Sequence, residues 1–438
     1  MLTRLRVQNF KCFEDSGDLQ IRPLTLLVGP NSGGKSTLLQ ALLLLRQTIA
    51  SPDPTTPLAL EGEWVRLGSY PAVAFRQEWK RPLGFEFEFG ARLPTFRVGR
   101  ERPRQPTVEQ VSVRLTFKYG LKTMRVSLEE ARYAVPSVGA LSIRPTARSG
   151  YARCTLTWDD QSAHYESALT RFMCLAPSLP SRKSRQGLEQ EMERFLRATL
   201  LGSQTEQFFR RLFYLGPLRE WPQRAYVASG QSPADVGFKG ESSVDVMWVR
   251  ARHKKTREPL EAHMNRWIEK FGIGQGLRLK RLGGNLYSVV LTGQKAGVDV
   301  NLADVGFGAS QVLPIIVEVF HAPEDSALLI EQPEIHLHPA AQLTLGDLLV
   351  DGAGRGLTLL VETHSEHLIS RVQRRIAEGA ISENDVALYY VQPDLMGAQA
   401  KRIEIDRRGQ LVEGTVPNGF FEEGFGETLE HARVLANR

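Results

Sequence analysis

The sequence predicts an α/β fold, a mixed and largely parallel sheet flanked by helices, with a β-rich insertion. Three observations predict it. The apolar run LTLLV (24–28) leads into the glycine-rich turn GPNSGGKST (29–37) and then an amphipathic helix. Residues 60–160 alternate apolar and polar positions between turn residues, the period of half-buried strands. From residue 309 onward helical and strand patterns take turns, at 309–320, 326–331, 340–350, 357–361 and 366–378, as the units of a parallel sheet do.

In chain order, 2–10 and 19–28 read as strands, followed by a helix from about Ser36 to Gln47. SPDPTTP (51–57) stops the helical period and marks a boundary. Beyond the alternating stretch, PSLPSRKSRQG (177–187) reads as loop, with helices expected at 188–201 and 204–213. YLGPLREWPQR ends a strand and turns. A helix is expected near 257–271, then a hairpin about Gly283 and Gly284. The expected divisions are 1–54 and 211–438 for the two parts of the α/β head and 55–210 for the insertion, a candidate partner-docking surface. No long heptad run exists, which excludes long coiled-coil arms.

Composition narrows the function classes. No apolar run reaches the roughly 20 residues a bilayer span needs, so no membrane role is expected. MLTRLRVQNF has no signal-peptide core. Cys12, Cys154 and Cys174 are too few and too scattered for a disulfide framework or zinc site, which fits a cytoplasmic protein. A net charge of +6 is compatible with DNA as a partner without establishing it. The basic clusters at 97–106, 252–258 and 371–379 are each more simply read as solvated faces.

Four segments carry chemistry. Gly29, Pro30, Asn31, Ser32, Gly33, Gly34, Lys35, Ser36 and Thr37 fit G-x-x-x-x-G-K-[ST] between a strand and a helix. The glycines let backbone N–H groups converge on a phosphate chain, Lys35 reaches the β- and γ-phosphates, and Ser36 ligates Mg2+. The apolar run ALLIE ends at Glu331, an acid at the edge of a sheet where ligands bind, expected to hold the Mg2+ shell. LLVETHSEHLI places His364 just past another strand, where it can bond the γ-phosphate or attacking water; Thr363 or Ser365 can instead cap the next helix. DVGFGASQVLP brings Phe307, Gly308, Ala309, Ser310 and Gln311 to a helix start able to offer N–H groups to nucleotide held by a second subunit. The alternating His336 and His338 are weighed as metal ligands and set aside, since they follow a strand at a turn.

In this order the four segments resemble the ATP-binding-cassette type ATPases of the SMC, RecF and OLD (overcoming lysogenisation defect) group of AAA-family ATPases. The likeness covers 1–50 and about 210–438, including YLGPLREWPQRAY, DVGFKGESS, IEQPEIHLHPAAQ and PNGFFEEGF. It is also similar to a branch of small bacterial ATPases found beside nuclease or toxin-like genes in defence loci. The resemblance implies an ABC-type P-loop head, with 29–37 as Walker A, Glu331 as Walker B acid, 307–311 as signature and His364 as switch histidine. It implies ATP and Mg2+ as cofactors, a head-to-head homodimer or higher oligomer that encloses two ATP molecules, and an effector protein, nuclease or toxin-like, from a neighbouring gene. A RecF- or SMC-like DNA repair ATPase closing on duplex is the alternative. Departures from the family are Gly308 at the signature's serine position, with Ser310 two residues on, and the lack of a clear Q-loop. No TOPRIM-like nuclease module is expected after the ATPase.

The sharpest departure is Gln332, which stands where the family keeps its catalytic base. An amide oxygen orients water but takes no proton. Glu334 is the nearest alternative carboxylate and Glu362 another. The expectation is an ATPase of low turnover whose bound state carries a signal. Phe420 and Phe421 are expected to pack the tail onto the head.

Overall fold

The computed structural model describes residues 1–93, 107–146, 150–158, 160–174, 185–228, 230, 232–252, 254–293 and 298–417. The basic cluster 97–106, residues 177–184 of the expected loop, and Phe420 and Phe421 lie outside them, while 185–187, expected as loop, open a helix. The chain divides into two compact units. One comprises 1–21, 31–212 and 392–400, the other 22–30, 213–391 and 401–438. These do not coincide with the expected 1–54, 55–210 and 211–438.

The first unit is built on an antiparallel sheet. From one edge its strands are Met173–Cys174, Gln161–Thr170, Tyr151–Trp158, Gly139–Pro145, Arg125–Val135, Thr107–Gly120, Leu83–Leu93, Leu2–Phe10 and Phe13–Asp15. The alternation seen in the sequence sorts these strands into two faces. Phe85, Phe87, Val113, Leu115, Phe117 and Tyr133 are buried. On the opposite face Arg4 is paired with Glu86 and Glu88, and Arg114 with Glu86. Leu83–Leu93 pairs directly with Leu2–Phe10, so the expected insertion continues the N-terminal strand's own sheet.

Helix Arg185–Arg210 lays Phe208 against Phe87 and Phe89, ring centroids 5.8 and 4.5 Å apart. Two helices were expected here, at 188–201 and 204–213; the structure has one, and Leu212–Leu215 is a strand. The cost of Gly202 inside a helix is about 1 kcal/mol. Leu201, Thr205, Phe208 and Phe209 are all buried along the helix and offset it. Helix α1, Lys35–Ala50, also belongs to this unit; residues 38, 39 and 41–45 are all buried.

The second unit holds four parallel strands. In chain order they are β1 (Leu24–Val28), β2 (Ala327–Glu331), β3 (Thr358–Glu362) and β4 (Val386–Asp394). Side by side they run β2-β3-β1-β4, within a six-stranded sheet whose outer members are Leu212–Leu215 and Gly397–Ile403. The single strand expected over 19–28 is two strands, Leu19–Gln20 and Leu24–Val28, with Pro23 between them. Proline has no N–H to give a ladder, so pairing stops there.

Helices α2 (Phe307–His321), α3 (Pro339–Gly354) and α4 (Glu366–Ala377) cover the sheet and enclose an apolar core of Leu26, Ile316, Ile330, Leu348, Val361 and Leu368 among others. The expected hairpin about Gly283 and Gly284 is present, Gly276–Gly283 against Leu286–Thr292. No helix among the described residues is long and apolar enough to cross a membrane.

Candidate functional site

β1 ends at Val28, and the next residue begins a loop that only unusual backbone can make. Gly29 has φ +134°, and a Cβ there would lie 2.2 Å from the carbonyl oxygen of Val391. Ser32 and Gly34 are also at positive φ, 61° and 108°. A Cβ on Gly34 would come within 2.7 Å of Cys12 Sγ and 3.2 Å of the Phe13 ring. Glycine at these two positions is therefore a steric requirement.

Gly34 is the N-cap of α1 and makes no side-chain capping hydrogen bond. Lys35 is 3% exposed, and its first-turn neighbours include no acid. Gly29→Ala is expected to lower stability by at least about 2 kcal/mol and to lose nucleotide binding. Thermal unfolding with and without ATP checks both.

At the carboxyl edge of the parallel sheet, register places three strand ends together. Glu331 of β2 is opposite Glu362 of β3, and Glu362 is opposite Leu27 of β1, two residues before the loop. The Tyr214 hydroxyl donates to Glu331 Oε1 at 3.1 Å. Burial beside Glu331 and Glu362 keeps this phenol protonated.

Gln332 takes the left-handed conformation, φ 42°, and its N–H donates to the Glu362 carbonyl at 2.8 Å. Arg219, 5% exposed, spans the same turn: Nη2 donates to the Glu331 carbonyl at 3.2 Å and Nη1 to the Gln332 carbonyl at 3.4 Å. Burial pulls the guanidinium down to about 10, still cationic at neutral pH. Glu334 is also buried; its Oε1 accepts from the His364 N–H at 2.6 Å, and burial raises its pKa. The His364 side chain is exposed. Ser365, not Thr363, caps α4 by accepting from the Leu368 N–H. His338 caps α3 through Nδ1.

The start of α2 buries its side chains. Ala309, Ser310 and Gln311 are 4, 5 and 1% exposed, so their side chains lie in the interior of the chain. A Cβ on Gly308 would meet the His336 carbonyl at 3.3 Å and Leu337 Cδ2 at 3.4 Å, which shows how closely the turn packs behind β2. The Phe307 side chain lies outside the described residues.

Two family models divide the chain in the same places as the motifs. The "AAA ATPase domain" model matches residues 1–61, and the model described as "AAA domain, putative AbiEii toxin, Type IV TA system" matches 183–370. The first takes in the 29–37 loop, the second Glu331 and His364. The chain is thus similar to AAA ATPase domains over these two stretches.

An OLD nuclease of Thermus scotoductus is 33% identical over 123 residues, 24% of this chain and 22% of the relative. The match thus spans less than a quarter of that protein. Among solved structures, the SMC head domain from Thermotoga maritima is similar over 92% of this chain and 99% of its own, at 11% identity and a TM-score of 0.43. The Smc head domain with an extended coiled coil bound to the C-terminal domain of ScpA, derived from Pyrococcus furiosus, covers 99% of each chain at 10% identity and a TM-score of 0.41.

The loop's local chemistry suits a phosphate chain. Gly29 and Gly34 each hold a backbone position that a Cβ would block, and the start of α1 favours negative charge. Sequence reasoning missed Tyr214 and Arg219, both within YLGPLREW. The available signal was a cation amid apolar and turn residues; which groups it bonds was not readable. Of the cluster at 371–379, Arg371, Arg374 and Arg375 are ion-paired with Asp347 or Glu378. In 252–258, Arg252 covers the Trp248 ring at 4.6 Å.

Proposed function

We propose that this ATPase binds ATP with Mg2+, hydrolyses it slowly, and uses the bound state as a switch. The Gly29–Thr37 loop would hold the phosphates, and Ser36 with Glu331 the cation. Bound Mg2+ would neutralise charge on the phosphate oxygens. What supports the reading is Gln332: an amide, its backbone held at the edge of the sheet, in the position where the family it resembles keeps a proton acceptor. Gln332 orients water, and His364, exposed at the end of the neighbouring strand, bonds the terminal phosphate or that water.

Two copies close head to head, each presenting the first turn of α2 to the other's nucleotide. The long-lived closed dimer holds or releases an effector protein within a bacterial anti-phage defence assembly. OLD- and RecF-like ATPases, which the sequence resembles, support that setting, and the effector is a nuclease or toxin-like protein encoded nearby.

Turnover tests the reading. Phosphoryl transfer at about 1–100 per second, reduced by the ~10²–10⁴ that a general base supplies, is expected below about 1 per second. Hundreds per second for the purified chain would contradict it. His364→Ala is expected to leave ATP affinity within about threefold and to slow turnover at least about tenfold, as loss of a group acting on the reacting atoms does. Fluorescent-nucleotide titration and phosphate release separate the two effects.

A further inference from the structure

We infer that Arg219 is a positioning residue for hydrolysis: its two-pronged hold on the Glu331 and Gln332 carbonyls fixes the direction in which the Gln332 amide points. The inference rests on the proposed ATPase reading and adds a residue to it.

The turn after β2 needs such a hold. A glutamine at φ 42° occupies a region where L side chains are strained. Two bonds oppose relaxation. The Gln332 N–H is held by the Glu362 carbonyl at 2.8 Å, and its own carbonyl by Arg219 at 3.4 Å. The same guanidinium reaches the preceding carbonyl, of Glu331, at 3.2 Å, so the peptide on each side of Gln332 Cα is tied down.

Arg219 is 5% exposed, and the hydrogen bonds described for it go to these two carbonyls. Glu334 and Glu331 offset the charge electrostatically, yet the hydrogen bonds described go to backbone, and a buried cation is a costly device for mere packing. It is a rational one if a neutral side chain must align water by direction alone. The segment carrying Arg219 is itself anchored. Gly216 N–H donates to the Phe238 carbonyl at 2.8 Å, Glu220 N–H to the Lys239 carbonyl at 2.9 Å, and Val236 N–H to Glu318 Oε2 on α2 at 2.9 Å. The clamp therefore has a fixed base on both sides of the arginine.

The test is a double-substitution cycle on the full chain, with ATP affinity, single-turnover rate and thermal unfolding measured for wild type, Arg219→Ala, Gln332→Ala and the double variant. Misplacing a group by about 1 Å costs ~10²-fold, so Arg219→Ala is expected to slow the chemical step about 30- to 100-fold with ATP affinity within about threefold. In the Gln332→Ala background the same change is expected to cost less than about threefold, because the group it aims is gone.

Arg219→Lys serves in the cycle if the alanine variant fails to fold. A single ammonium cannot span two carbonyls, so most of the loss should persist. Equal losses in both backgrounds, affinity falling in step with rate, or full recovery by lysine would each overturn the inference while leaving the ATPase reading intact. A wild-type chain that neither binds nor hydrolyses ATP would overturn both.

Discussion

Lys35→Ala is expected to weaken ATP binding at least about hundredfold, with no measurable turnover at millimolar ATP. Lys35 opens α1 at 3% exposure, so the loop would offer a triphosphate a largely desolvated point charge. Removing one partner of a buried charge contact costs ~3–5 kcal/mol, and each 1.4 kcal/mol is about tenfold in affinity. The fold is expected to hold, because α1 keeps Leu38, Leu39, Leu42 and Leu45 in the core. Isothermal titration with ATP and Mg2+, beside a circular-dichroism melt, reads both outcomes. Near-normal affinity in this variant would remove the loop from the binding site.

Gln332→Glu is the opposite experiment, a gain. A carboxylate at this place can accept the proton that the amide cannot, and a positioned base is worth ~10²–10⁴-fold. The substitution preserves shape, and the clamp from Arg219 and Glu362 acts on backbone, so the turn should survive. Glu331, Glu334 and Glu362 make the site strongly acidic, which would raise the new carboxyl's pKa and trim the benefit. An increase of at least about tenfold in phosphate release at pH 8 is therefore expected, below the ~10²–10⁴-fold of a well-placed base. The ATP-dependent dimer should become shorter-lived in proportion. An unchanged rate would mean that another group already serves as base, with Glu334 the first to test by Glu334→Gln.

What could be read ahead of the structure was what chain continuity enforces. Strand, glycine turn and helix at 24–50 are contiguous, and steric needs at Gly29 and Gly34 leave a mark in the residue type itself. Glu331 and His364 were legible because a buried parallel strand is apolar until its edge. Their joining through β3 follows from sheet order, which a parallel alternation suggests without specifying.

Tyr214 and Arg219 were not legible, for a physical reason. Tyr214 bonds a carboxylate 117 residues away, and Arg219 bonds carbonyls, which every residue has. Alternation in 83–93 showed which side of the strand is buried but not that its neighbour is Leu2–Phe10. The helix expected to break at Gly202 continued because burial along one face outweighs a local propensity. The burial of Ala309, Ser310 and Gln311 was likewise a tertiary fact: a glycine-rich helix start reads the same whether its side chains face solvent or core.

The most direct measurement is a structure of the chain with Mg2+ and a non-hydrolysable ATP analogue. The account predicts β- and γ-phosphates within hydrogen-bond reach of Lys35 Nζ and the 29–37 amides, Mg2+ on Ser36 with Glu331 in its shell, and the first turn of a symmetry mate's α2 across the γ-phosphate. Nucleotide bound away from Lys35, or bound there with residues 307–311 of every copy remote from it, would contradict it.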